Sequence, residues 1–353
     1  MEDVARAAKL SPSVLGERLT AQLLAGEPAG SALEVTRRLL AVQGQDQRGA
    51  RLAIRARSSG LTAADIDCAL TEERSLLITW VNRGTLHLLA SEDYPWLHAL
   101  TAPTILTANA RRLAQEGLSS AAVEKGVNAI ERALGSEGPL NRAQLRERIA
   151  AVGVRTEGQA LVHLLMLATL RGIAVRGPMV DGQHAYVLVE DWLEKAKEPV
   201  DRGRALAELA RRYLAGHGPA EDRDLARWSG LPLRDARAGL DAIASKLQER
   251  PDGLLELAGA PAAAPPPPPR LLGAFDPLLL GWCSREELIA GNEGIVTTNG
   301  LFRPFALVDG RVVATWSLQA GRIELKPFKR LSAAVRSALR SEEEDVRRYL
   351  GLR

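Results

Sequence analysis

The sequence has few aromatic residues and few cysteines. Only 4% of its 353 residues are Phe, Trp or Tyr, although 46% are hydrophobic. Its cores must therefore be filled mainly by Leu, Ala, Val and Ile, which suits short, closely packed helices. The two cysteines, Cys68 and Cys283, lie far apart and form neither a disulfide framework nor a zinc-binding pattern. We expect an α-rich protein of roughly two to four domains in a reducing cytoplasm.

Long apolar runs are also missing, since none approaches the roughly eighteen residues of a membrane span. The chain begins Met1-Glu2-Asp3-Val4, with acids where a signal peptide carries cations. The sequence lacks a Walker loop, a G-x-S-x-G elbow and a Rossmann glycine fingerprint, and its histidines have no metal-ligand spacing. We expect a cytoplasmic protein with no membrane partner, no metal and no cofactor.

Lysine is scarce as well, so arginine carries most of the positive charge. Lys and Arg total 46 residues against 43 acids, which gives a net charge of +3. The planar guanidinium of arginine donates paired hydrogen bonds to phosphates and base edges. A GC-rich genome produces the same residue usage in any protein, so the composition leaves nucleic-acid binding open.

Three similar blocks, each with helices followed by two short strands, account for the first 260 residues. Related segments, Gly138-Pro139-Leu140 and Gly218-Pro219-Ala220, each follow the first predicted helix of the second and third blocks. The second block is predicted to have helices at 121–134, 141–151 and 157–171 and strands at 173–176 and 184–189. The third should have helices at 201–216, 221–228 and 233–246 and strands at 247–250 and 254–257. Helices followed by a hairpin indicate winged-helix units, at 1–115, 116–198 and 199–260.

A proline-rich stretch over 261–269 cannot continue a helix or a central strand, so it predicts an extended linker. The terminal domain at 270–353 should contain a helix over 332–349 and strands at 295–298, 301–308, 311–318 and 321–327. The predicted fold class is mainly α with small β-hairpin wings (α+β), as tandem winged-helix domains plus a small C-terminal α+β domain.

The triplet Gln43-Gly44-Gln45 follows an apolar run and is the most distinctive polar motif of the chain. In a helix, residues two apart point to nearly opposite sides, so the two amides share a target only if the chain turns or extends at Gly44. Both would then offer a carbonyl acceptor and an NH2 donor to a water or a base edge. The alternative is an exposed, polar helix end. The adjacent Asp46 could act as a base, cap a helix or pair with Arg48.

Arg48, Arg51 and Arg55 recur at helical spacing after the triplet, and no acid interrupts the row. They would form a cationic face for a backbone phosphate, although a solvated amphipathic face has the same pattern. Residues 76–89 predict a hairpin around an Asn-Arg-Gly turn. In a regular second strand, Arg83, Thr85 and His87 share one face, which could contact DNA or support the glutamines. A lone His on a strand is more often structural than functional.

These features resemble a bacterial winged-helix family, the AlkZ-like proteins, which include the interstrand-crosslink DNA glycosylases of the azinomycin-resistance type. The likeness covers most of the chain and rests on the triplet at 43–45, the hairpin residues 83–87, the repeated blocks and the segment 275–282. Active members hydrolyse the N-glycosidic bond of N7-alkylated purines with a Gln, an aliphatic residue and then a Gln or Asp. The resemblance implies that Gln43 and Gln45 are catalytic, with Gly44 departing from the aliphatic position.

The resemblance further implies a DNA-repair glycosylase that acts as a monomer on alkylated or crosslinked double-stranded DNA, in the nucleoid of a bacterium. The residues expected to contact DNA are Arg48, Arg51, Arg55, Arg83, Thr85 and His87. The main alternative is a non-enzymatic winged-helix protein, a transcriptional regulator or a damage-binding factor, which the departure at Gly44 favours. A protein-interaction scaffold is a third possibility.

Overall fold

A computed structural model describes residues 12–194, 200–297 and 300–352. The acidic start of the chain, the end of the second predicted block at 198 and Thr298 of a predicted strand lie outside the described residues. The described chain forms two compact units. The first unit comprises the chain up to Ile66, Leu206–Trp228 and the chain from Pro232 onward. The second unit comprises Asp67–Ala205 and Ser229–Leu231. The boundaries between the five predicted segments stay predictions.

The first unit begins with the elements that carry the glutamine triplet. These are α1 (Pro12–Ala21), α2 (Ala32–Leu39), β1 (Val42–Gln43) and α3 (Gln47–Arg55). The Ser31 side chain caps α2 by accepting the backbone N–H of Glu34, and the helix buries Val35 and Leu39. The chain then passes through α4 (Ala63–Thr71) toward the second unit.

The second unit packs helices against an antiparallel sheet. Its elements are β2 (Leu76–Val81), β3 (Thr85–Ala90), α5 (Tyr94–Gln115), α6 (Ser120–Glu137), α7 (Arg142–Ala151), α8 (Ala160–Leu170), β4 (Ala174–Val180), β5 (Gln183–Leu188) and α9 (Val189–Trp192). These strands are ordered β3-β2-β4-β5. Leu145, Ile149, Leu161 and Leu164 are buried in its core, as the apolar composition predicts.

The remaining chain adds a second set of helices, a short hairpin and a sheet. Its elements are α10 (Arg202–His217), α11 (Asp222–Ser229), α12 (Leu233–Asp241), β6 (Leu247–Glu249), β7 (Leu255–Leu257), β8 (Arg270–Leu272), α13 (Glu286–Ile289), β9 (Phe305–Val308), β10 (Arg311–Gln319), β11 (Arg322–Pro327) and α14 (Ala333–Tyr349). The terminal sheet is antiparallel in the order β11-β10-β9-β8. None of the helices in the described ranges is long and apolar enough to cross a membrane.

The internal repeat of the sequence is also a structural repeat. Leu140, just after the first Gly-Pro, exchanges two backbone hydrogen bonds with Tyr186 of β5. Ala220, just after the second Gly-Pro, does the same with Leu255 of β7. In both of these blocks a residue two positions before the second helix thus pairs with a strand of the hairpin, as in a winged helix.

The fold class is confirmed, because the described chain is mainly helical with small antiparallel sheets. Residues 261–269 form neither helix nor strand, as predicted. The strand predicted at 295–298 is wrong, since a 3-10 turn spans Glu293–Ile295 and Val296 makes only an isolated bridge. The next strand begins at Phe305 rather than 301, after Pro304, which has no N–H to donate to a sheet. The sheet also contains the edge strand β8, which the sequence pattern does not predict.

Candidate active site

The backbone between α2 and α3 brings the two glutamine side chains of the triplet together. Leu40 ends α2 with a positive φ of 63°, and the chain is extended at Val42–Gln43 before α3 begins at Gln47. Because this segment is not helical, the amides do not point to opposite sides. Nε2 of Gln43 donates a hydrogen bond to Oε1 of Gln45 at 2.6 Å. The alternative of an exposed, polar helix end does not describe this segment.

The two amides differ in exposure. Gln43 is 6% exposed, whereas Gln45 is exposed. Their mutual hydrogen bond leaves the Oε1 acceptor of Gln43 and the Nε2 donor of Gln45 outside it. Such a pair can hold one water by accepting a hydrogen bond from its O–H and donating a hydrogen bond to its oxygen. Neither amide titrates near neutral pH, so the pair can position a water but cannot take up its proton.

Asp46 is the N-cap of α3. Its carboxylate accepts a hydrogen bond from the backbone N–H of Gly49. Of the three roles considered for Asp46, which were base, helix cap and partner of Arg48, the structure shows the helix cap. Gly49 lies so close to the backbone of Ala274, in the same unit, that a Cβ there would collide with the Ala274 carbonyl oxygen. The first turn of α3 therefore packs directly against the backbone of Ala274, and the triplet lies just before this turn in the chain.

Arg55 is buried and does not form part of a DNA-facing surface. Its Nη1 donates to Asp345 at 2.7 Å, and its Nη2 donates to Glu342 at 2.7 Å and to the carbonyl of Leu271 at 2.8 Å. Burial lowers the pKa of Arg55, but the two carboxylates outweigh it and the net pKa is raised. The expected phosphate contact by Arg55 is corrected, because removing this cation from its buried partners would cost on the order of 3–5 kcal/mol.

Arg57, two residues on, makes a second buried ion pair that the sequence did not reveal. It is 0% exposed, and its two Nη atoms donate to Asp276 at 2.9 and 2.7 Å. Nη2 also donates to Oε1 of Gln22 at 2.8 Å. The only hint in the sequence was that Asp276 is a lone acid in an apolar segment. The pair fixes the end of α3 within the first unit.

The predicted cationic row is thus divided between surface and interior. Arg48 is exposed, whereas Arg51 is buried and its Nη1 donates to the carbonyl of Gln47 at 3.3 Å. The spacing of these arginines correctly predicts a helix. It does not distinguish a solvent-exposed arginine such as Arg48 from one packed against acidic residues such as Arg55. Arg48 remains suited to a phosphate contact by its exposure.

The predicted hairpin is present in the second unit, with Asn82-Arg83-Gly84 as its turn. Val81 pairs with Thr85 next to the turn, and Thr79 pairs with His87. Arg83 is exposed at the tip, whereas Thr85 is partly buried and His87 is 2% exposed. The three side chains therefore do not share one exposed face, because Arg83 belongs to the turn rather than to the strand.

His87 is a structural residue of the hairpin and not a DNA contact. Its Nδ1 lies 3.0 Å from the carbonyl oxygen of Thr85. Burial, followed by the charge of Arg83, lowers the pKa of His87 to about 3. The ring is therefore neutral at physiological pH and carries no charge for a phosphate, which corrects the expectation for His87.

Comparison with known proteins gives a consistent family assignment. A family model described as "DNA glycosylase AlkZ-like" matches residues 36–349. The interstrand DNA cross-link repair glycosylase of Streptomyces sahachiroi is 26% identical over 362 aligned residues, which cover 96% of both chains. The solved structure of the Streptomyces sahachiroi DNA glycosylase AlkZ superposes with a TM-score of 0.75 at 25% identity, covering 97% of this chain and 96% of that one. The resemblance inferred from the triplet and the hairpin is confirmed, and the chain belongs to the AlkZ-like family of DNA glycosylases.

Proposed function

We propose that this protein is a monofunctional DNA glycosylase that hydrolyses the N-glycosidic bond of N7-alkylated purines, including purines in interstrand crosslinks. The observation that carries the proposal is the hydrogen-bonded pair of Gln43 and Gln45, in a chain of this family. The Streptomyces relative is named for the repair of interstrand cross-links, which supports crosslinked purines as a substrate class.

The chemistry suits a pair of amides because the leaving group is already activated. An N7-alkylated purine carries a positive charge, so the electron pair of the breaking bond neutralises it without a general acid. The sugar becomes oxocarbenium-like, and the attacking water needs positioning more than deprotonation. Oε1 of Gln43 and Nε2 of Gln45 hold that water at C1′, and its proton passes to solvent after the new C–O bond forms.

The exposure of Gln45 suits a substrate that stays in the duplex. A crosslinked base is tethered to the opposite strand and cannot be extruded into a closed pocket, as base-flipping enzymes require. Gln45 lies at the protein surface, where a base still joined to both strands can approach it. The proposal therefore covers monoadducts and crosslinks with one site.

Phosphate contacts are assigned by exposure. Arg48, in the first turn of α3, and Arg83, at the hairpin tip, are exposed cations near the elements that the family resemblance singles out. Arg51 is buried and Thr85 is partly buried, so the proposal gives neither of them a direct phosphate contact. Several such units in one chain can bind a duplex without dimerisation, so we propose a monomer as the active form.

The test is release of N7-methylguanine from a labelled duplex by the purified protein under single-turnover conditions. Replacing Gln43 and Gln45 together with Ala should slow release roughly 10–1000-fold, the range of typical acid–base and electrostatic contributions. Gln248→Ala, at an exposed position of β6, is the matched control and should release the base at the wild-type rate. Full release by the double variant would overturn the catalytic assignment. No release by the wild type, despite tight and salt-sensitive binding, would favour a non-enzymatic DNA-binding protein.

A further inference from the structure

The tip of the β2–β3 hairpin is attached to a segment far away in sequence. The backbone N–H of Arg83 donates to the carbonyl oxygen of Ser229 at 3.3 Å. Ser229 and Gly230 belong to the second unit together with the hairpin, although the chain on either side of them belongs to the first. The exposed arginine of the hairpin therefore has its own backbone held by a residue of another block.

Gly230 allows this attachment because its backbone and that of Arg83 are nearly in contact. A Cβ at Gly230 would lie 2.6 Å from the backbone nitrogen of Arg83, 3.0 Å from its Cα and 3.3 Å from its Cγ. The φ of Gly230 is +77°, which also favours glycine. Even alanine would push the tip of the hairpin away, and both backbone and side chain of Arg83 would move with it.

The turn itself needs such support. Asn82 and Arg83 have positive φ values of 39° and 22°, which are uncommon for residues with a side chain and persist where the surroundings enforce them. On the helix side, a Cβ at Gly84 would lie 3.2 Å from Ile105 and 3.5 Å from Met166, so the turn is also packed against α5 and α8. The tip is held from two directions, and the Arg83 side chain remains exposed.

The repeat supplies an internal comparison. Gly153 lies two residues after α7 and Gly230 directly follows α11, and these helices are the corresponding helices of the two repeated blocks. The φ of Gly153 is +75°, almost the same, but nothing lies within 4 Å of a Cβ placed there. A glycine with positive φ is thus a common feature of the two blocks, whereas the close approach to a hairpin backbone belongs to Gly230.

We propose that Ser229 and Gly230 are positioning residues that hold Arg83 in the orientation in which it binds a DNA phosphate. Gly230 acts through the hairpin backbone and touches no substrate. The inference rests on the proposed function, since it requires that the protein bind DNA through Arg83. The inference adds that the third predicted block contributes to DNA affinity, because its Ser229 and Gly230 orient Arg83 of the first block.

The test is a double-mutant cycle on the affinity for an undamaged duplex, measured at several salt concentrations. Arg83→Ala should weaken binding roughly 5- to 30-fold and reduce the salt slope by about 1, as expected for one lost phosphate contact. Gly230→Ala should produce the same two changes. The variant carrying both should bind no more weakly than Arg83→Ala, because the glycine acts only through the arginine.

Gly153→Ala is the matched control, because it imposes the same backbone strain without touching the hairpin. It should lower the melting temperature less than Gly230→Ala, which adds the collision with the Arg83 backbone, and should leave both affinity and salt slope unchanged. Wild-type affinity and slope in Gly230→Ala, or a double variant whose loss equals the product of the two single losses, would overturn the inference.

A second measurement needs no substitution and applies if Gly230→Ala fails to fold. Hydrogen exchange of the Arg83 amide in the intact protein should be slow, because this amide is bonded to Ser229, and slower still with duplex DNA bound. Exchange as fast as in an open turn, with or without DNA, would contradict the anchor. A wild-type protein that binds no DNA would instead contradict the proposed function, so the two failures are distinct.

Discussion

At the scale of single residues, the candidate site depends on where one helix ends and the next begins. Leu40 ends α2 and Asp46 caps α3, and the side chains of Gln43 and Gln45 meet in the short segment between them. The sequence identified both amides as candidates. It did not predict the backbone that joins them, because a leucine with positive φ carries no signal of the kind that glycine or asparagine gives.

Asp46 provides a prediction that separates a cap from a catalytic base. Asn caps helices as well as Asp does, so Asp46→Asn should retain both stability and the rate of base release. Asp46→Ala should lose about 1 kcal/mol of unfolding free energy, because the N–H of Gly49 loses its partner. Urea denaturation and single-turnover release measure the two effects. A large loss of rate in Asp46→Asn at unchanged stability would show that the carboxylate is the base.

His87 provides a prediction about pH and stability. Its folded pKa of about 3 lies below the unfolded value near 6.5, so below pH 6.5 the unfolded chain binds a proton that the folded protein does not. The stability due to this residue is complete above pH 6.5 and is lost as the pH falls toward 3, at about 1.4 kcal/mol per pH unit. His87→Gln should flatten the unfolding free energy over this window. An unchanged pH slope in the variant would contradict the burial of His87.

At the scale of elements, α3 begins just after the triplet and has buried ion pairs at its other end. Gly49 packs on the backbone of Ala274, Arg55 binds Glu342 and Asp345 of α14, and Arg57 binds Asp276. Helical spacing correctly predicted the helix but assigned its arginines to the surface. Their acidic partners lie more than two hundred residues away in sequence, and a single sequence contains no signal that links them.

The Arg57–Asp276 pair should be among the most costly contacts of the first unit to break. Asp276→Asn leaves the buried guanidinium of Arg57 without its counter-ion, and we expect a loss of roughly 3–5 kcal/mol in unfolding free energy. Asp309→Asn, at an exposed turn, is the matched control and should change stability by less than about 0.5 kcal/mol. Urea denaturation measures both. Equal stability of the two variants would contradict the buried pair.

At the scale of the whole molecule, the repeat was the feature that the sequence predicted best. The two Gly-Pro segments predicted corresponding blocks, and Leu140 and Ala220 make corresponding pairings with Tyr186 and Leu255. What it did not predict is that Ser229–Leu231 join the unit that contains the hairpin. Local propensity determines helices and turns, whereas such long-range docking depends on close fits such as that of Gly230 against Arg83.

DNA affinity should depend on salt through the exposed arginines. Arg48→Ala should weaken binding and reduce the salt slope by about 1, because one phosphate contact is lost. Arg132→Ala, at an exposed position on α6 to which we assign no DNA contact, should leave the slope unchanged. Fluorescence anisotropy with a labelled duplex measures both. An identical slope in Arg48→Ala and the wild type would remove Arg48 from the interface.

The most direct test of the account is the rate of N7-methylguanine release by Gln43→Ala, Gln45→Ala and the double variant under single-turnover conditions. Because the two amides hold one water, each single replacement should cost nearly as much as both together, roughly 10–1000-fold. Thermal melts of the same samples verify that the variants are folded. Release at the wild-type rate by either folded single variant would contradict the claim that the pair is the catalytic centre.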